Sequence, residues 1–377
     1  IVMPCLDEEN TIGICISKAK QFIEETGIYG EIIIADNGSA DRSVSIAESM
    51  GAKVVQVKGL GYGNALHGGI SAAEGKYIIM GDSDDSYDFY ELAPFVDKLR
   101  EGFDLVIGNR FLGEIKPKAM PWLHRYLGNP ILSGIGKLFF NTKVGDFHCG
   151  LRGIRKDSYQ KLDLQTSGME YASEMIVKSV IFNYKISEVP IVLHADGRGR
   201  EPHLRSWRDG WRHLEFLLIY SPRWLFLYPG IALIAAGSIL ILWIYTGNST
   251  EASWGGRLQS VIFGMMAVVI GYQSVIFSFF TKVFAESAGL IPADLMIRRL
   301  FRQNNLRLML IAGIFLIISG IIFILLKQSI SDKVTPAAAL ACIIGSQTVL
   351  ASFFLHILTL KKRNKDNYYF NQKSEDK

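Results

Sequence analysis

The sequence predicts an α/β domain followed by a region of four transmembrane helices. Short apolar stretches alternate with helical stretches in the first part of the chain, and from about residue 225 onward four long stretches contain no Asp, Glu, Lys or Arg. A basic amphipathic segment joins the two parts. We therefore expect a globular domain over 1–203, an interfacial helix over 204–222, four membrane spans within 223–360 and a polar tail over 361–377.

The composition favours a membrane protein and argues against a nucleic-acid partner. Of the 377 residues 49% are hydrophobic, and the mean hydropathy of +0.21 is high for a soluble protein. The net charge of +4 is too small to favour nucleic acid. The four cysteines show neither metal-ligand spacing nor a pairing pattern, which favours a reduced, cytoplasmic setting. The chain begins inside an apolar stretch, so we expect a few native residues to precede Ile1.

Alternating strand and helix signals predict the fold of the first domain. Continuous apolar strands separated by helices are typical of a parallel sheet that is covered on both faces. Strands are predicted over 1–6, 31–36, 53–57, 76–82, 104–110 and 185–194. Helices are predicted near 11–26, 40–50, 62–74, 89–100, 121–141 and 168–183.

The stretch GDSDDSYD at 81–88 holds four carboxylates directly after an apolar strand. Aspartate is a good turn and N-cap residue, and a helix start near Phe89 would explain one or two of them. A divalent cation such as Mg²⁺ or Mn²⁺ would explain more, because hard cations prefer carboxylate oxygens. Two other strand ends, PCLDEE and ADNGSAD, are also polar, and ligands of such sheets bind beyond the carboxyl ends of strands. Their convergence in one crevice favours the cation.

The segment LRSWRDGWRHLEFLLIY before the first span is amphipathic. Trp207 and Trp211 recur with leucines at helical spacing, and a stripe of arginines lies beside them. Trp and Arg on a helix that leads into a membrane segment suit the lipid interface. The alternative is an amphipathic helix packed on its own domain.

The four apolar stretches lie at about 225–245, 258–281, 308–326 and 335–360. Each is long enough for ~30 Å of hydrocarbon. Lys and Arg are concentrated in the loop after the second span and in the tail, so the positive-inside rule places the globular domain, this loop and the tail in the cytoplasm. Gly313 and Gly320 lie two turns apart on one helix face, which suits either a homo-oligomer or close packing within the bundle.

Five motifs carry a resemblance to a known family. PCLDEENTI, ADNGSADRS, GYGNALHGGISAAEGKYIIMGDSDDSYD, GNRF and DFHCGLRG follow one another in the order and spacing of family 2 glycosyltransferases. The chain most resembles the polyprenyl-phosphate branch, which includes dolichyl-phosphate mannose synthase and bacterial polyprenyl-phosphate glucosyltransferases. The resemblance implies a GT-A fold (the Rossmann-like fold of nucleotide-diphospho-sugar transferases), a nucleotide-sugar donor, a divalent metal and inversion at the anomeric carbon.

The resemblance implies roles for the residues of the donor site. Asp82 and Asp84 match the family's D-x-D motif, so that Asp82 would lie near the ribose or diphosphate and Asp84 would coordinate the metal, with Ser86 as a weaker third metal contact. The remaining donor-site residues are Pro4, Leu6 and Glu8 at the nucleoside end, Asp36 facing the base edge, and Gly61 in a glycine-rich loop whose free N–H groups could approach the ribose or phosphate.

The acceptor site is also carried over from the family. Arg110 matches an arginine that contacts phosphate, and Asp146 and Arg152 come from DFHCGLRG. Asp146 would orient substrate or act as a base, although a lipid phosphate is already an anion and needs positioning more than deprotonation. Arg198 and Arg200 are candidates for binding substrate phosphate, because the forked guanidinium suits phosphate oxygens.

Together these features predict inverting transfer of a hexose from UDP-glucose or GDP-mannose to a polyprenyl (undecaprenyl or dolichyl) phosphate at the cytoplasmic membrane face. One alternative is a processive polysaccharide or glycolipid synthase, although the chain lacks the Q-x-x-R-W motif of processive synthases. Another is a non-catalytic scaffold or flippase partner, against which the intact Asp82–Asp84 pair argues. The expected partners are the donor, the lipid acceptor and membrane lipids.

Overall fold

The structure is a computed structural model that describes residues 1–197, 206–246, 254–288, 291–292, 299–326 and 334–375. The chain divides into two compact units, Ile1–Tyr220 and Ser221–Lys377. Each unit has its own packing.

The described part of the first unit contains one sheet of seven strands in the order β3-β2-β1-β4-β6-β5-β7. The strands are β1 (Val2–Cys5), β2 (Ile33–Asp36), β3 (Lys53–Gln56), β4 (Tyr77–Met80), β5 (Leu105–Ile115), β6 (Arg152–Arg155) and β7 (Ile186–Leu193). The helices are α1 (Ile12–Thr26), α2 (Ser43–Ser49), α3 (Tyr62–Ala72), α4 (Ala93–Arg100), α5 (Asn129–Phe140), α6 (Lys156–Leu162), α7 (Tyr171–Ile181) and α8 (Ser206–Ile219). A π-helical turn, His124–Gly128, leads into α5.

The sheet is mixed, so the prediction of a parallel sheet is wrong at one strand. β6 lies between β4 and β5 and is antiparallel to both. Its sequence, RGIR, has a charged residue at each end and no apolar run, which is why no strand was predicted there. The other six strands match predicted strands, because their buried positions are filled mainly by Ile, Val, Leu and Met.

Helix α8 packs on its own domain through one face only. Phe216 and Leu217 are buried in the main hydrophobic core, where α8 contacts α5 and α7. Trp207 and Trp211 lie on the other side and are 85% and 64% exposed. An interfacial helix and a helix packed on its own domain are therefore compatible interpretations of this segment, because the face that packs on the domain leaves the tryptophans at the surface.

The described part of the second unit consists mainly of helices that are long and apolar enough to cross a membrane. These are α9 (Tyr228–Thr246, preceded by the π-helical turn Arg223–Leu227), α10 (Trp254–Ala288), α11 (Gln303–Leu325) and α12 (Val334–Glu375). The four membrane-length segments are Arg223–Thr246, Leu258–Ala288, Gln303–Leu325 and Thr335–Thr359. The prediction of four apolar helices is confirmed, and the protein is a membrane protein.

Glycines bring the membrane helices together in pairs. A Cβ at Gly237 of α9 would lie 2.5 Å from the carbonyl oxygen of Gly264 in α10. A Cβ at Gly313 would lie 2.9 Å from the carbonyl oxygen of Gly345, and one at Gly320 would meet Cys342. Small residues allow such close backbone approach between membrane helices. Gly313 and Gly320 therefore pack against α12 of the same chain, which favours bundle packing over the oligomer contact.

Candidate active site

The site lies where β1, β2 and β4 end. The three strands are neighbours in the sheet, and Cys5 at the end of β1 pairs with Asp36 at the end of β2. The hydroxyl of Ser83, just after β4, donates to the carbonyl oxygen of Pro4 over 2.7 Å. The three polar strand ends therefore form one edge of the sheet, as the strand alternation predicted.

The four aspartates of GDSDDSYD divide into two pairs. Lys18 of α1 lies 2.8 Å from Asp85 and 3.8 Å from Asp88, so these two carboxylates share one ammonium group. Asp85 has a left-handed backbone conformation, with φ of 62°, which Asp84 does not share. Asp82 and Asp84 are the two acids of the D-x-D motif, and both follow the end of β4. The cluster thus contains a partly exposed ion-pair network around Lys18 and the two acids of the D-x-D motif.

Asp84 is held by the residue predicted as a further metal ligand. One of its oxygens, Oδ1, accepts hydrogen bonds from the backbone N–H of Ser86 over 3.0 Å and from the Ser86 hydroxyl over 2.6 Å. Asp84 is 5% exposed and Ser86 is 8% exposed. Ser86 therefore orients the Asp84 carboxylate in this structure.

Asp82 has neighbours that the sequence did not reveal. A Cβ at Gly150 would lie 2.6 Å from Asp82 Oδ2, so the glycine of DFHCGLRG leaves room for this carboxylate. The N–H of Gly150 donates to the hydroxyl of Tyr87 over 2.8 Å. Tyr62 is a further neighbour of Asp82: burial, together with the charge of Asp82 and a hydrogen bond to it, raises the pKa of Tyr62 well above its usual value. Gly150 and Tyr62 therefore lie beside Asp82, with Tyr87 next to Gly150.

The predicted nucleoside end combines partly exposed and buried residues. Pro4 and Leu6 are partly exposed, while Glu8 and Asp36 are 7% and 1% exposed. The Asp36 carboxylate accepts the N–H of Gly38 over 3.1 Å and the N–H of Ser39 over 3.2 Å. Asp36 therefore shapes the turn after β2, and its contact with the base edge stays a prediction.

The glycine-rich loop does not offer the free N–H groups that were expected. The N–H of Gly61 donates to Asn37 Oδ1 over 2.7 Å, and the N–H of Gly63 donates to the carbonyl oxygen of Ser167 over 2.9 Å. Gly61 has φ of +125°, and a Cβ there would lie 2.3 Å from the same Ser167 oxygen. The expectation is wrong for Gly61 and Gly63, because Asn37 takes the N–H of Gly61 and the segment before α7, which crosses the start of α3, takes the N–H of Gly63.

Glu174 of α7 fixes that crossing segment. Its carboxylate lies 2.8 Å from Lys178, accepts the N–H of Gln165, and accepts both the N–H and the hydroxyl of Thr166. Burial opposes the charged form of Glu174, but Lys178 and these hydrogen bonds lower its pKa overall. Glu174 therefore acts as a structural carboxylate in this fold.

Arg110 and Asp146 form a buried pair with two parallel hydrogen bonds. Arg110 Nε lies 2.7 Å from Asp146 Oδ2, and Arg110 Nη2 lies 2.7 Å from Asp146 Oδ1. Burial opposes the charge of Arg110, but Asp146 raises the pKa of the guanidinium above its usual value. Glu188 of β7 supports the pair by accepting the N–H groups of Gly145 and Asp146 over 2.8 and 3.2 Å. Nothing in the sequence marks Glu188, which follows Asp146 by 42 residues and is brought to the pair by the pairing of β7 with β5.

Arg152 supports the motif from inside the protein. It is 2% exposed and donates to the carbonyl oxygens of Cys149 over 2.8 Å, Phe147 over 2.8 Å and Ala172 over 2.5 Å. These contacts fasten DFHCGLRG to α7. The structure therefore does not bring the Arg152 side chain to the surface of the crevice.

The candidates Arg198 and Arg200 lie outside the described residues. The chain just before them runs along the acidic motif. The N–H of His194 donates to the carbonyl oxygen of Ser86 over 2.9 Å, and the N–H of Gly197 donates to that of Asp84 over 3.0 Å. The backbone that follows β7 is therefore fixed against the D-x-D motif as far as Gly197.

Comparison with known proteins identifies the family. The model of glycosyl transferase family 2 matches residues 1–163, and that of the family 2 C-terminal transmembrane region matches 279–359. The low-salt glycan biosynthesis hexosyltransferase Agl6 of Haloferax volcanii is 37% identical over 287 residues, which are 76% of this chain and 68% of that protein. The dolichyl-phosphate hexose transferase of the same organism is 29% identical over 191 residues, 51% of this chain and 80% of that protein.

Solved structures give a more distant likeness. Glucosyl-3-phosphoglycerate synthase from Mycobacterium tuberculosis, crystallised with Mn²⁺ and UDP-glucose, is 20% identical, with a TM-score of 0.46 over 58% of this chain and 76% of that one. The assignment comes from the sequence matches, which cover the strand-end motifs within 1–163 and the C-terminal transmembrane region within 279–359. The chain belongs to glycosyltransferase family 2, as a membrane-bound enzyme with a GT-A domain and a C-terminal transmembrane region.

Proposed function

We propose that this glycosyltransferase transfers a hexose from UDP-glucose or GDP-mannose to a polyprenyl phosphate, with inversion, at the cytoplasmic face of the membrane. The observation that carries the proposal is the division of the acidic motif. Lys18 holds Asp85 and Asp88, whereas Asp82 and Asp84 lie at the edge formed by the ends of β1, β2 and β4. This edge of an α/β sheet is where nucleotide ligands bind.

The residues present fit a divalent cation that is shared with the donor. Asp82 and Asp84 supply two carboxylates, and the lack of a side chain at Gly150 makes room for the Asp82 carboxylate. Among the residues that the structure describes, no group of three or more His, Cys, Asp or Glu side chains could hold a metal alone. Mg²⁺ is commonly held by one or two carboxylates together with substrate phosphates, which suits this pair. Bound Mg²⁺ or Mn²⁺ would stabilise the charge that develops on the leaving nucleoside diphosphate.

The acceptor proposal rests on chemistry and on the membrane region. A lipid acceptor explains why a sugar transferase carries four apolar helices. One relative is named a dolichyl-phosphate hexose transferase. A phosphate oxygen of such an acceptor is already anionic, and the Asp146 carboxylate is engaged by Arg110 on both oxygens. The protein's contribution is therefore positioning of the phosphate, with Asp146 holding Arg110 instead of removing a proton.

The first experiment uses the purified full chain in detergent, a polyprenyl phosphate, Mg²⁺ or Mn²⁺, and radiolabelled UDP-glucose or GDP-mannose. We expect one donor to label a lipid product, and Asp84→Asn to reduce the rate by about 10²–10³-fold. Asp88→Asn is the matched control, because its carboxylate lies beside Lys18, and it should retain most of the activity.

The same assay separates the alternatives. Label that enters a polymer or a preformed glycolipid, with none in polyprenyl-phosphate sugar, would contradict the proposed acceptor while leaving the donor site intact. Equal losses in Asp84→Asn and Asp88→Asn would contradict the division of the acidic motif.

A further inference from the structure

His148, inside the motif DFHCGLRG, has a side chain that the donor-site chemistry does not use. Both of its ring nitrogens are buried, and neither has a hydrogen-bond partner among the residues that the structure describes. Buried polar atoms are nearly always hydrogen-bonded, and a buried polar atom without a hydrogen bond costs free energy. His67, by contrast, has its Nδ1 within 2.6 Å of the Tyr159 hydroxyl. The His148 ring therefore has a donor and an acceptor to offer.

The ring is held in place by its neighbours. It packs edge-on against the ring of His213 from α8, with 4.5 Å between the ring centroids. His213 lies 2.9 Å from the Ser173 hydroxyl through Nδ1, which ties α8 to α7. The backbone N–H of His148 donates to Asp146 Oδ1 over 3.3 Å, so the residue adjoins the Arg110–Asp146 pair. Because its neighbours already fix the ring, forming a hydrogen bond with a ligand would cost little further side-chain entropy.

The electrostatic surroundings of the ring favour an anion. Burial, followed by the influence of His213, Arg110, Arg152 and His124, lowers the pKa of His148 well below its usual value, so the ring is neutral at pH 7 and carries one N–H donor. Two of these neighbours, Arg110 and Arg152, are guanidinium groups, and a single carboxylate, Asp146, pairs with one of them. Arg152 donates to backbone carbonyls instead.

We propose that His148 donates a hydrogen bond to a phosphate oxygen of the lipid acceptor and so helps to position the nucleophile. The inference rests on the proposed function, since it assigns a residue to the acceptor side of that reaction. A phosphate oxygen suits this N–H donor better than a neutral sugar hydroxyl does, because a hydrogen bond to a charged group is stronger than one between neutral groups. The ring acts as a binding residue that stays neutral during the reaction.

The test compares His148→Leu with His148→Gln in the full chain. Leu removes both nitrogens at similar volume, so the KM for polyprenyl phosphate should rise about tenfold or more, as expected for a lost hydrogen bond to a charged group. The KM for the nucleotide sugar should not change. The melting temperature of His148→Leu without substrate should equal or exceed that of the wild type, because no satisfied bond is lost. Gln keeps a donor and should restore most of the acceptor affinity.

His67→Leu is the matched control for a structural histidine. It loses the bond to Tyr159, so its melting temperature should fall while the KM for polyprenyl phosphate stays the same. A lower melting temperature for His148→Leu with an unchanged KM would overturn the proposal and indicate a structural partner for the ring. A rise in the KM for the nucleotide sugar alone would also overturn it, by placing the ring against the donor hexose.

A binding measurement keeps this inference separate from the proposed function. Farnesyl phosphate, a short isoprenoid phosphate, is added to protein labelled with ¹⁵N-histidine, and farnesol serves as the uncharged control. The signal of His148 is identified as the one that is missing from the spectrum of His148→Gln. If farnesyl phosphate shifts this signal and farnesol does not, the inference is supported even if sugar transfer to polyprenyl phosphate fails. No shift with farnesyl phosphate, in a protein that does transfer sugar to polyprenyl phosphate, would overturn the inference alone.

Discussion

At the scale of single residues, the surroundings of identical side chains decide their roles. Asp82, Asp84, Asp85 and Asp88 have the same chemistry, and their order in the sequence predicts only the D-x-D pair. The assignment of Asp85 and Asp88 to structure depends on Lys18, which is 67 residues away from Asp85. A sequence taken alone cannot show which acid meets this lysine, because the contact is created by the packing of α1 beside the end of β4.

Arg110 provides a test at this scale, because its two parallel hydrogen bonds need a guanidinium. We expect Arg110→Lys to lower the free energy of unfolding by about 1–3 kcal/mol, since a lysine keeps the charge but loses one buried hydrogen bond to Asp146. Chemical denaturation of the protein in detergent measures the change.

Arg155→Lys is the control for this substitution. Arg155 makes the same paired geometry with Asp157, at 3.1 and 3.0 Å, on the protein surface. Water competes for exposed pairs, so this variant should unfold like the wild type. Similar destabilisation by both substitutions would show that burial of the Arg110–Asp146 pair does not matter.

At the scale of elements, a parallel strand in a covered sheet is easy to recognise and a short antiparallel one is not. The strands β1 to β5 and β7 were predicted from their apolar residues. β6 was missed because it has no apolar run: an arginine stands at each end, and one of them, Arg152, is buried against carbonyl groups. The crossing of Ser167 over the start of α3 was missed because it is a contact between segments far apart in the sequence.

Gly150 tests how the loop before β6 supports the site. A methyl group at this position would lie 2.6 Å from Asp82 Oδ2 and 3.2 Å from the Tyr87 ring. We expect Gly150→Ala to displace Asp82 and to lower kcat/KM about a hundredfold, the effect of a small misplacement in an active site. Steady-state kinetics at saturating metal provide the measurement.

Gly134→Ala in α5 is the corresponding control. A Cβ there meets nothing within 4 Å, and alanine favours helix over glycine. This variant should keep full activity and melt at the same temperature or slightly higher. If Gly150→Ala were as active as Gly134→Ala, the close approach to Asp82 would have no catalytic importance.

The segment held by Glu174 predicts a dependence of stability on pH. The folded pKa of Glu174 lies below the ordinary value of 4.5, so its contribution is complete above that pH and is lost as the pH falls through the lowered folded value. We expect Glu174→Gln to melt at a lower temperature than the wild type at pH 7 and the difference to shrink below about pH 4.5. Melting curves from pH 7 to pH 3.5 measure this, and a constant difference would contradict the role of the charge.

At the scale of the whole molecule, the charge of the loops predicts an orientation. If each of the four membrane-length helices in the described residues crosses the membrane, the globular domain and the tail after residue 360 lie on the same side, and the positive-inside rule predicts that this side is the cytoplasm. Green fluorescent protein fused after Lys377 should therefore fluoresce, and alkaline phosphatase at the same position should be inactive. Fusions within 327–333, between the last two spans, should give the opposite pattern. Active alkaline phosphatase at the C-terminus would contradict the predicted orientation.

The strand order also sets the time at which the domain can complete its sheet during synthesis. The strands β3, β2, β1 and β4 can pair once residue 80 has left the ribosome, but β5 pairs with β6 and β7, which both follow it in the chain. The apolar start of β5, Leu105–Ile107, must therefore wait for Arg152–Arg155. Translation at about 5–20 residues per second leaves it unpaired for roughly 2–10 s. For that interval the nascent chain exposes an unpaired apolar segment, and a ribosome-associated chaperone would protect this segment.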